Sequence, residues 1–290
     1  MVNSIGEERV RFESLKKLLR RFFINYSKDK FGVVGFVILA TIAALAVLAP
    51  YLPMANPTIL IYKPFLSPSL EHPMGTDALG RDLLSRVIWG ARTSIAIGIM
   101  AASISFVLGL TLGGIAGYYG GLLDDFICRV VDVFLVIPVF FLALFIVAIY
   151  GGNVFYVMAV IGLLIWPSNA RITRAQVLTV KEGEFVQAAK VIGVSNLKIL
   201  FQHIVPNSIQ PLIANTILQS AGAMITEAGL SFLGLGDPNA ITWGKMIYLG
   251  QVHVTTCWWI SIFPGLMLLL TVFALHLIGD AASKIFSPKG

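Results

Sequence analysis

Charged residues are scarce in this chain of 290 residues, because Asp, Glu, Lys and Arg together make up only 12% of it. Soluble domains carry about 25% charged residues. The hydrophobic content of 57% and the mean hydropathy of +0.84 are both higher than in soluble domains. This shortage of charge excludes most aqueous enzyme folds. The apolar residues also lie in long runs without charge, which predicts an all-α integral membrane protein.

Residues suited to metal, redox or nucleotide chemistry are also few. The two cysteines, Cys128 and Cys257, have no metal-ligand spacing and suggest no disulfide framework. The four histidines are far apart in sequence, so no metal site is predicted. A phosphate loop of the form GxxxxGKS or GxxxxGKT is missing, so the chain has no visible means of binding ATP in that manner. We therefore expect a non-catalytic chain without a cofactor of its own.

Six transmembrane helices are predicted from the charge-free runs, since about 20 apolar residues cross a bilayer. The run 133–170 has no charged residue and would be about 57 Å long as one helix, nearly twice the hydrocarbon thickness. It is expected to turn back at Gly151-Gly152-Asn153 and to form spans three and four. The first, second, fifth and sixth spans are predicted within residues 31–50, 93–123, 207–226 and 246–279, the last centred on 258–278.

The basic residues predict the orientation of these spans. Sixteen of the 21 Lys and Arg fall on the side that holds both termini, and five fall on the other side, which predicts cytoplasmic termini. Eight of them precede span one, so the net charge of +6 is interpreted as membrane orientation and not as nucleic-acid binding. A cleaved signal peptide is the alternative for span one, but its charged lead and apolar block are too long. Cys128 is then expected near the cytoplasmic face and Cys257 near the outer face.

This topology divides the chain into parts. Asp77, Arg81, Asp82 and Arg86 fall on the outer side, where their spacing predicts a short helix with neighbouring opposite charges. A structural brace is the favoured role, and contact with a substrate-delivering protein is the alternative. The parts are a cytoplasmic tail 1–30, a transmembrane helix 31–50, an extracytoplasmic segment 51–92, a five-helix core 93–280 with a cytoplasmic loop 171–206, and a cytoplasmic tail 281–290.

Small and helix-breaking residues predict how the spans pack. Gly109, Gly113 and Gly117 recur every four residues in span two and predict a groove where another helix backbone approaches closely. Spans three to six hold one proline each, which permits kinks, at Pro138, Pro167, Pro211 and Pro264. Near the cytoplasmic start of span three, the spacing of Arg129 and Asp132 predicts a helix-end ion pair.

The segment 184–207, EFVQAAKVIGVSNLKILFQHIVPN, lies in the largest predicted cytoplasmic loop. Its apolar residues recur at helical spacing, Gly193 suits a left-handed C-cap, and Ser195 suits the cap of a second short helix that ends before Pro206. The pattern predicts helix, tight bend, helix. Such a hairpin either lies on lipid headgroups or docks another protein. The predicted apolar stripe consists of Phe185, Ala188, Ala189 and Ile192.

Several stretches of the sequence resemble a known family. Gln187-Ala188-Ala189, followed by Gly193 and Val205-Pro206, is similar to the EAA motif of ABC importer permeases. The stretches HPMGTDALGRDLLSR (72–86), GYYGGLLDD (117–125), TEAGLSFLGLG (226–236) and WW…FPG (258–265) resemble the dipeptide and oligopeptide permeases, of the DppC/OppC type. Gln187 and His203 depart from the usual EAA pattern. The resemblance extends from span one to Asp280 and implies the type I importer permease fold.

The resemblance also implies a function and partners. The chain would form half of the translocation pathway for peptides or related small solutes, with oligosaccharides or nickel still open. Its partners would be membrane lipid, a second homologous permease chain, two ATP-binding subunits that hold ATP and Mg²⁺, and an extracytoplasmic solute-binding protein. The cytoplasmic helix would act as a coupling helix. Its ATPase-docking residues would be Glu184, Phe185, Gln187, Ala188, Ala189, Ile192 and Gly193.

Glu227 is predicted near the outer third of span five, where an ionised carboxylate is costly unless it is paired or faces water. A structural hydrogen-bonding role and a place along the translocation pathway remain equally open. Two other classes of protein compete with the importer. A secondary transporter would need an ion-coupling site and commonly shows internal repeats, and neither is evident. A membrane scaffold without transport activity would not need the capped cytoplasmic hairpin.

Overall fold

The computed structural model describes residues 26–286, and the regular elements in that part of the chain are helical. Residues 1–25 and 287–290, which make up most of the first predicted tail and the end of the second, lie outside the described residues. Short 3-10 turns follow α1 and precede α9, at Ala49–Tyr51 and Gln251–His253. The helices α1 to α9 are Lys30–Leu48, Leu83–Tyr119, Gly121–Val136, Val139–Tyr150, Val154–Val180, Glu184–Val191, Gln210–Phe232, Trp243–Gly250 and Trp259–Phe286.

Helix α1 matches the predicted first span. Its N-cap is Asp29, whose carboxylate accepts a hydrogen bond from the Gly32 N–H at 2.9 Å. Lys284, near the end of α9, donates to the same carboxylate at 3.2 Å. The bond from Gly32, followed by the bond from Lys284, holds the pKa of the Asp29 carboxyl below its ordinary value. These contacts join the start of α1 to the last turns of α9.

Helix α2 begins at Leu83, ten residues before the predicted start of span two, so the helix extends into the segment 51–92 that is predicted to be extracytoplasmic. Asp82 caps the helix by accepting a hydrogen bond from the Ser85 N–H at 2.9 Å. The sequence prediction counted only uncharged residues. It therefore omitted the first turns, which contain Arg86 and Arg92. With 37 residues the helix is about 55 Å long and extends beyond the hydrocarbon layer.

The predicted third span is a broken pair of helices and not one helix. Helices α3 and α4 meet at an angle of 84°. The break lies at Ile137-Pro138, because proline has no N–H to donate and holds the preceding residue out of the helical region. The turn predicted at residues 151–153 is confirmed. Gly151 has φ of 95°, and the Asn153 side chain caps α5 by accepting from the Phe155 N–H.

The six predicted spans correspond to α1, α2, the α3–α4 pair, α5, α7 and α9. By length and composition, α1 with its 3-10 turn, α2, α5 and α9 can each cross a membrane, and the bent pair makes a fifth crossing if it counts as one span. Helix α7 has 23 residues but is less apolar than these helices, because it contains Asn215, Gln219 and Glu227. Helix α9 continues to Phe286, so the predicted tail 281–290 begins inside a helix.

Helices α2 and α5 pack along the predicted glycine stripe, which is confirmed. A Cβ placed on Gly113 would lie 2.8 Å from the Ala170 Cα, and one on Gly117 would lie 2.9 Å from the Arg174 carbonyl oxygen. Both distances are too short for a side chain. Glycine therefore allows the two backbones to touch at these positions.

The charged GTDALGRD stretch (75–82) forms a hydrogen-bonded turn in place of the predicted short helix. Asp77 accepts hydrogen bonds from the Leu79 and Arg81 N–H groups and from Arg81 Nε, at 2.6 Å for the last. Gly75 and Gly80 have φ of 77° and 71°, a left-handed conformation that interrupts a helix. Buried Arg86 lies 3.5 Å from Asp77 and donates to the Pro57 carbonyl. This turn leads directly into α2, which Asp82 caps, and its role as a brace at the outer face stays a prediction.

Candidate functional site

The cytoplasmic hairpin of the prediction consists of α6, a bend at Gly193 and the segment 196–208. Gly193 has φ of 79°, and its N–H donates to the Lys190 carbonyl at 3.0 Å. The Val194 N–H donates to the Ala189 carbonyl at 3.1 Å. This pair of bonds is the Schellman arrangement that ends a helix with a left-handed residue. The predicted C-cap is therefore confirmed.

The second half of the hairpin differs from the prediction. Ser195 precedes the helical turn Asn196–Lys198, but its side chain makes no capping hydrogen bond. The chain then forms a π-helix, Ile199–Ile204, and a further turn, Val205–Ser208. The helical segment does not end before Pro206, because the proline occupies the first turn of Val205–Ser208, where a missing N–H costs little. π-Helices are rare and often mark functional positions.

The predicted apolar stripe of α6 is split between two faces. Ala189 is buried together with Val186 against a cluster formed by α5 and the second half of the hairpin. Phe185 and Ala188 are exposed, and Ile192 is 79% exposed. The prediction that all four share one free face was therefore wrong for Ala189. Ala189 belongs to the apolar core of the hairpin and therefore cannot lie on its free face.

The exposed face of α6, which we call the docking face, combines apolar and charged groups. Val191 is 87% exposed and extends the face toward the bend. Glu184 and Gln187 are also exposed, and Gln187 Nε2 makes only a long contact of 3.4 Å with the Lys181 carbonyl. Such a cluster of exposed apolar side chains at the end of a membrane protein is typical of an interaction site.

Two hydrogen bonds attach the hairpin to the end of α2. The Tyr118 hydroxyl donates to Asn196 Oδ1 at 2.9 Å. Lys181 Nζ, just before α6, donates to the Gly117 carbonyl at 3.0 Å. Sequence analysis missed both contacts, because no local spacing connects residues more than 60 positions apart. They provide a direct link between the docking face and a helix that crosses the membrane.

Ion pairs join α3 to α5 at the same end of the molecule. Asp124 accepts two hydrogen bonds from Arg174, both at 2.6 Å, in a bidentate pair. Asp132 pairs with Arg171 at 2.8 Å. The predicted pair of Arg129 with Asp132 was therefore wrong, since the carboxylate faces the neighbouring helix and not its own. Helix α3, the first half of the broken helix pair, is held against α5 by these contacts.

Polar side chains inside the bundle join α2, α5 and α7. Asn169 Nδ2 donates to Ser105 Oγ at 3.0 Å and to Gln219 Oε1 at 2.8 Å. Asn215 Nδ2 donates to Asn169 Oδ1 at 2.7 Å, and Gln219 Nε2 donates to the Ile165 carbonyl at 2.9 Å. These bonds satisfy polar groups that would otherwise be costly inside a membrane protein. They explain how α7 is accommodated despite its lower hydropathy.

Glu227 is buried, and its surroundings are polar, as the sequence predicts. Its carboxylate accepts hydrogen bonds from Ser231 Oγ at 2.7 Å and from Thr242 Oγ1 at 3.0 Å. Thr242 also caps α8 by accepting from the Lys245 N–H. These bonds give Glu227 the structural role of joining α7 to α8, and its place along a pathway stays a prediction. Among residues 26–286, no group of three or more His, Cys, Asp and Glu is placed to bind a metal ion.

Together, the apolar helices, the broken span and the projecting hairpin define a multi-pass helical membrane protein with a type I importer permease fold. The fold is similar to that of a chain from the inward-facing MetNI methionine ABC transporter, with a TM-score of 0.56 and 17% identity over 71% of this chain and 97% of that chain. Residues 109–289 match the model of the binding-protein-dependent transport system inner membrane component. The chain belongs to this family and is a transport permease subunit.

Proteins of the same family with higher identity include two permeases with assigned names. The dipeptide transport system permease protein DppC of Alkalihalophilus pseudofirmus is 36% identical over 93% of this chain and 90% of its own length. The oligopeptide transport system permease protein OppC of Haemophilus influenzae is 36% identical over 93% of this chain and 87% of its own length. The similarity thus covers nearly the whole chain, including the hairpin.

Proposed function

We propose that this chain forms half of the translocation pathway of a peptide importer. A second homologous permease chain would form the other half, and an extracytoplasmic solute-binding protein would deliver the peptide. Two ATP-binding subunits, with ATP and Mg²⁺ bound to them, would supply the energy. The chain itself would perform no covalent chemistry. Its role would be to convert movement at the docking face into opening of the translocation pathway to one side of the membrane or the other.

The observation that carries this proposal is the docking face on a hairpin attached to α2. Phe185, Val191 and Ile192 expose apolar surface to water unless a partner covers it, at a cost of roughly 25 cal/mol per Å². The hairpin core of Val186 and Ala189 holds this face in place. The peptide substrate is inferred from the names of relatives such as DppC and OppC. Oligosaccharides and nickel are the alternative substrates.

The proposed mechanism is alternating access, driven by closure of the ATP-binding subunits. Closure would move α6, and the bonds from Tyr118 and Lys181 would pass this movement to α2. Helix α5 would move with α2, because the backbones of the two helices are in direct contact along the glycine stripe. Sliding one helix past the other would disrupt this close packing. We therefore infer from these contacts that α2, α5 and the hairpin would move together as one rigid body.

The proposed location is the cell membrane, with both termini on the cytoplasmic side. This orientation places the docking face in the cytoplasm, where ATP is available, and the 75–82 turn outside. It is supported by the distribution of 16 basic residues on one side and five on the other. A hairpin lying on lipid headgroups, a secondary transporter and a scaffold are the alternatives.

One purification and one transport assay test the proposal. The chain is expressed with candidate permease, ATP-binding and solute-binding proteins from the same organism, purified through a tag on this chain and reconstituted into vesicles. We expect two ATP-binding subunits per pair of permeases and ATP-dependent uptake of radiolabelled dialanine. Purification without an ATP-binding subunit would contradict the importer assignment. Uptake of a sugar or nickel in place of peptide would contradict the proposed peptide substrate and leave the importer assignment in place.

A further inference from the structure

A cavity of about 290 Å³ lies between the α3–α4 pair, α5 and α7. Residues on both sides of the helix break line it, including Ile137 and Val139. Its volume is close to the lower end of the range of about 300–1,000 Å³ that is usual for small-molecule sites. The cavity belongs neither to the docking face nor to the surroundings of Glu227, and the mechanism above does not use it.

The backbone break makes this cavity unusual for a membrane protein. Non-helical backbone at membrane depth is tolerated where protein buries it or where it lines a cavity that contains water. Because the N–H groups of Phe141 and Leu142 donate to the Pro138 carbonyl, the N–H groups left without an acceptor among the described residues at the start of α4 are those of Val139 and Phe140. Val139 lines the cavity, so one of these two N–H groups belongs to a lining residue. Binding sites of transporters are commonly built at such discontinuous helices.

Three polar side chains interrupt the otherwise apolar wall, namely Ser168 of α5 and Gln219 and Thr226 of α7. None of the described residues that line the cavity is charged. A ligand with a net charge at this point would lose its hydration without gaining an ion pair. The wall therefore suits an uncharged ligand segment that is partly apolar and partly able to form hydrogen bonds.

The hydroxyl groups of Ser168 and Thr226 can each form a further hydrogen bond, one as a donor and the other as an acceptor. Thr226 Oγ1 donates to the Gly222 carbonyl at 2.9 Å, so its oxygen can still accept an N–H. Ser168 Oγ accepts a long bond of 3.4 Å from Asn215 Nδ2, so its own O–H can still donate to a carbonyl. One acceptor and one donor match the N–H and C=O groups of a peptide backbone. Gln219 is held by the internal polar network.

Gly222 keeps the α7 side of the cavity open. A Cβ placed on it would meet nothing within 4 Å, unlike one on Gly113, which would meet the backbone of α5. Gly222 is exposed in this chain and lies four residues before Thr226, on the same face of α7. A larger side chain at this position would fill the cavity without disturbing the packing of the chain itself.

We infer that this cavity is a solute-contact site and that it binds the uncharged backbone of a short peptide. Ser168 would donate to a peptide carbonyl, Thr226 would accept from a peptide N–H, and the apolar wall would cover the adjacent side chain. The charged ends of the peptide would be bound outside this wall. The inference rests on the proposed function and adds to it the part of this chain that touches the transported molecule.

The first test compares Gly222→Leu with Gly265→Leu in the reconstituted complex. A Cβ on Gly265, in α9, also meets nothing within 4 Å, and this residue is outside the cavity, so it is the matched control. Filling the cavity should reduce uptake of radiolabelled dialanine by at least about tenfold, and the control should stay within about twofold of the parent. Both variants should purify with all partner subunits.

Two results would overturn the inference. Parental uptake by Gly222→Leu would show that no solute passes this wall, as expected if only a lipid chain fills it. Loss of the second permease chain on purification would assign Gly222 to a contact between subunits. A parent complex that transports no peptide would instead contradict the proposed function itself, and the inference with it.

The second test keeps the volume of the cavity and removes one hydrogen bond. Thr226→Val should raise the KM for dialanine by about two- to tenfold, since one net hydrogen bond is lost. Thr226→Ser retains the hydroxyl group and should restore the parental KM. Equal KM values for Val, Ser and the parent would overturn the proposed contact with the peptide.

Discussion

The Tyr118 hydroxyl lies 2.9 Å from Asn196 Oδ1, although 78 positions separate the two residues. Tyr118 is in the last turn of α2, and Asn196 begins the second half of the hairpin. The bond therefore joins the hairpin to the longest membrane helix. The apolar core of the hairpin also packs against α2 and α5, so this bond is one of several contacts that join the hairpin to the bundle.

Removing this bond should weaken coupling and leave assembly intact. For Tyr118→Phe we expect peptide uptake per ATP hydrolysed to fall by about two- to tenfold, which corresponds to one net hydrogen bond of about 0.5–1.5 kcal/mol. Simultaneous assays of uptake and ATP hydrolysis in vesicles measure this ratio. Tyr119→Phe is the control, because Tyr119 lies beside Tyr118 and, among the described residues, no hydrogen bond joins its hydroxyl to the hairpin. An unchanged ratio for Tyr118→Phe would remove this bond from the coupling route.

The two alanines of the EAA-like motif should respond differently to tryptophan. Ala188 is exposed on the docking face, so Ala188→Trp should yield a stable protein whose association with the ATP-binding subunit is at least about tenfold weaker. Ala189 is 6% exposed within the hairpin core, so Ala189→Trp should lower the abundance of the chain itself. Immunoblots of membranes and copurification of the ATP-binding subunit separate the two effects.

The bend at Gly193 provides a third variant for the same assay. Gly193→Val places a β-branched residue at φ of 79°, which costs roughly 1 kcal/mol or more. We expect normal membrane insertion with reduced association, because the helices that cross the membrane are untouched. If both Ala188→Trp and Gly193→Val keep parental association and uptake, the hairpin is an element that lies on lipid headgroups.

The sequence predicts features that depend on local chemistry. The turn at 151–153, the left-handed Gly193 and the glycine stripe are each determined by a few neighbouring residues. Features that depend on contacts between distant segments were not predictable. Asp132 pairs with Arg171, 39 positions away, and the direction of Ala189 depends on a core formed by the residues after the bend. Charge-free runs identify the lipid-facing part of a helix, which is why the first turns of α2 were missed.

Single cysteines should report the orientation of the chain. Native Cys257 is buried, so it is a poor target for a labelling reagent, and replacing both cysteines gives a better background. Leu70→Cys, at a fully exposed position before α2, should react with an impermeant maleimide in intact cells. Val191→Cys on the docking face should react only after the cells are opened. The reverse pattern would contradict cytoplasmic termini and the proposed position of the docking face.

Adjacent glycines of α2 allow a matched test of helix packing. Gly113 touches the Ala170 backbone of α5, whereas a Cβ on Gly114 would lie 3.9 Å from Leu200 Cδ1, an ordinary contact distance. Gly113→Ala should therefore destabilise the purified complex by about 1–3 kcal/mol, because the two backbones must separate to admit a methyl group. Gly114→Ala makes the same chemical change one position away and should be neutral or stabilising by about 0.5–1 kcal/mol, as alanine favours the helix. Thermal unfolding in detergent measures both variants, and equal midpoints for the two would mean that the α2–α5 contact is looser than this packing requires.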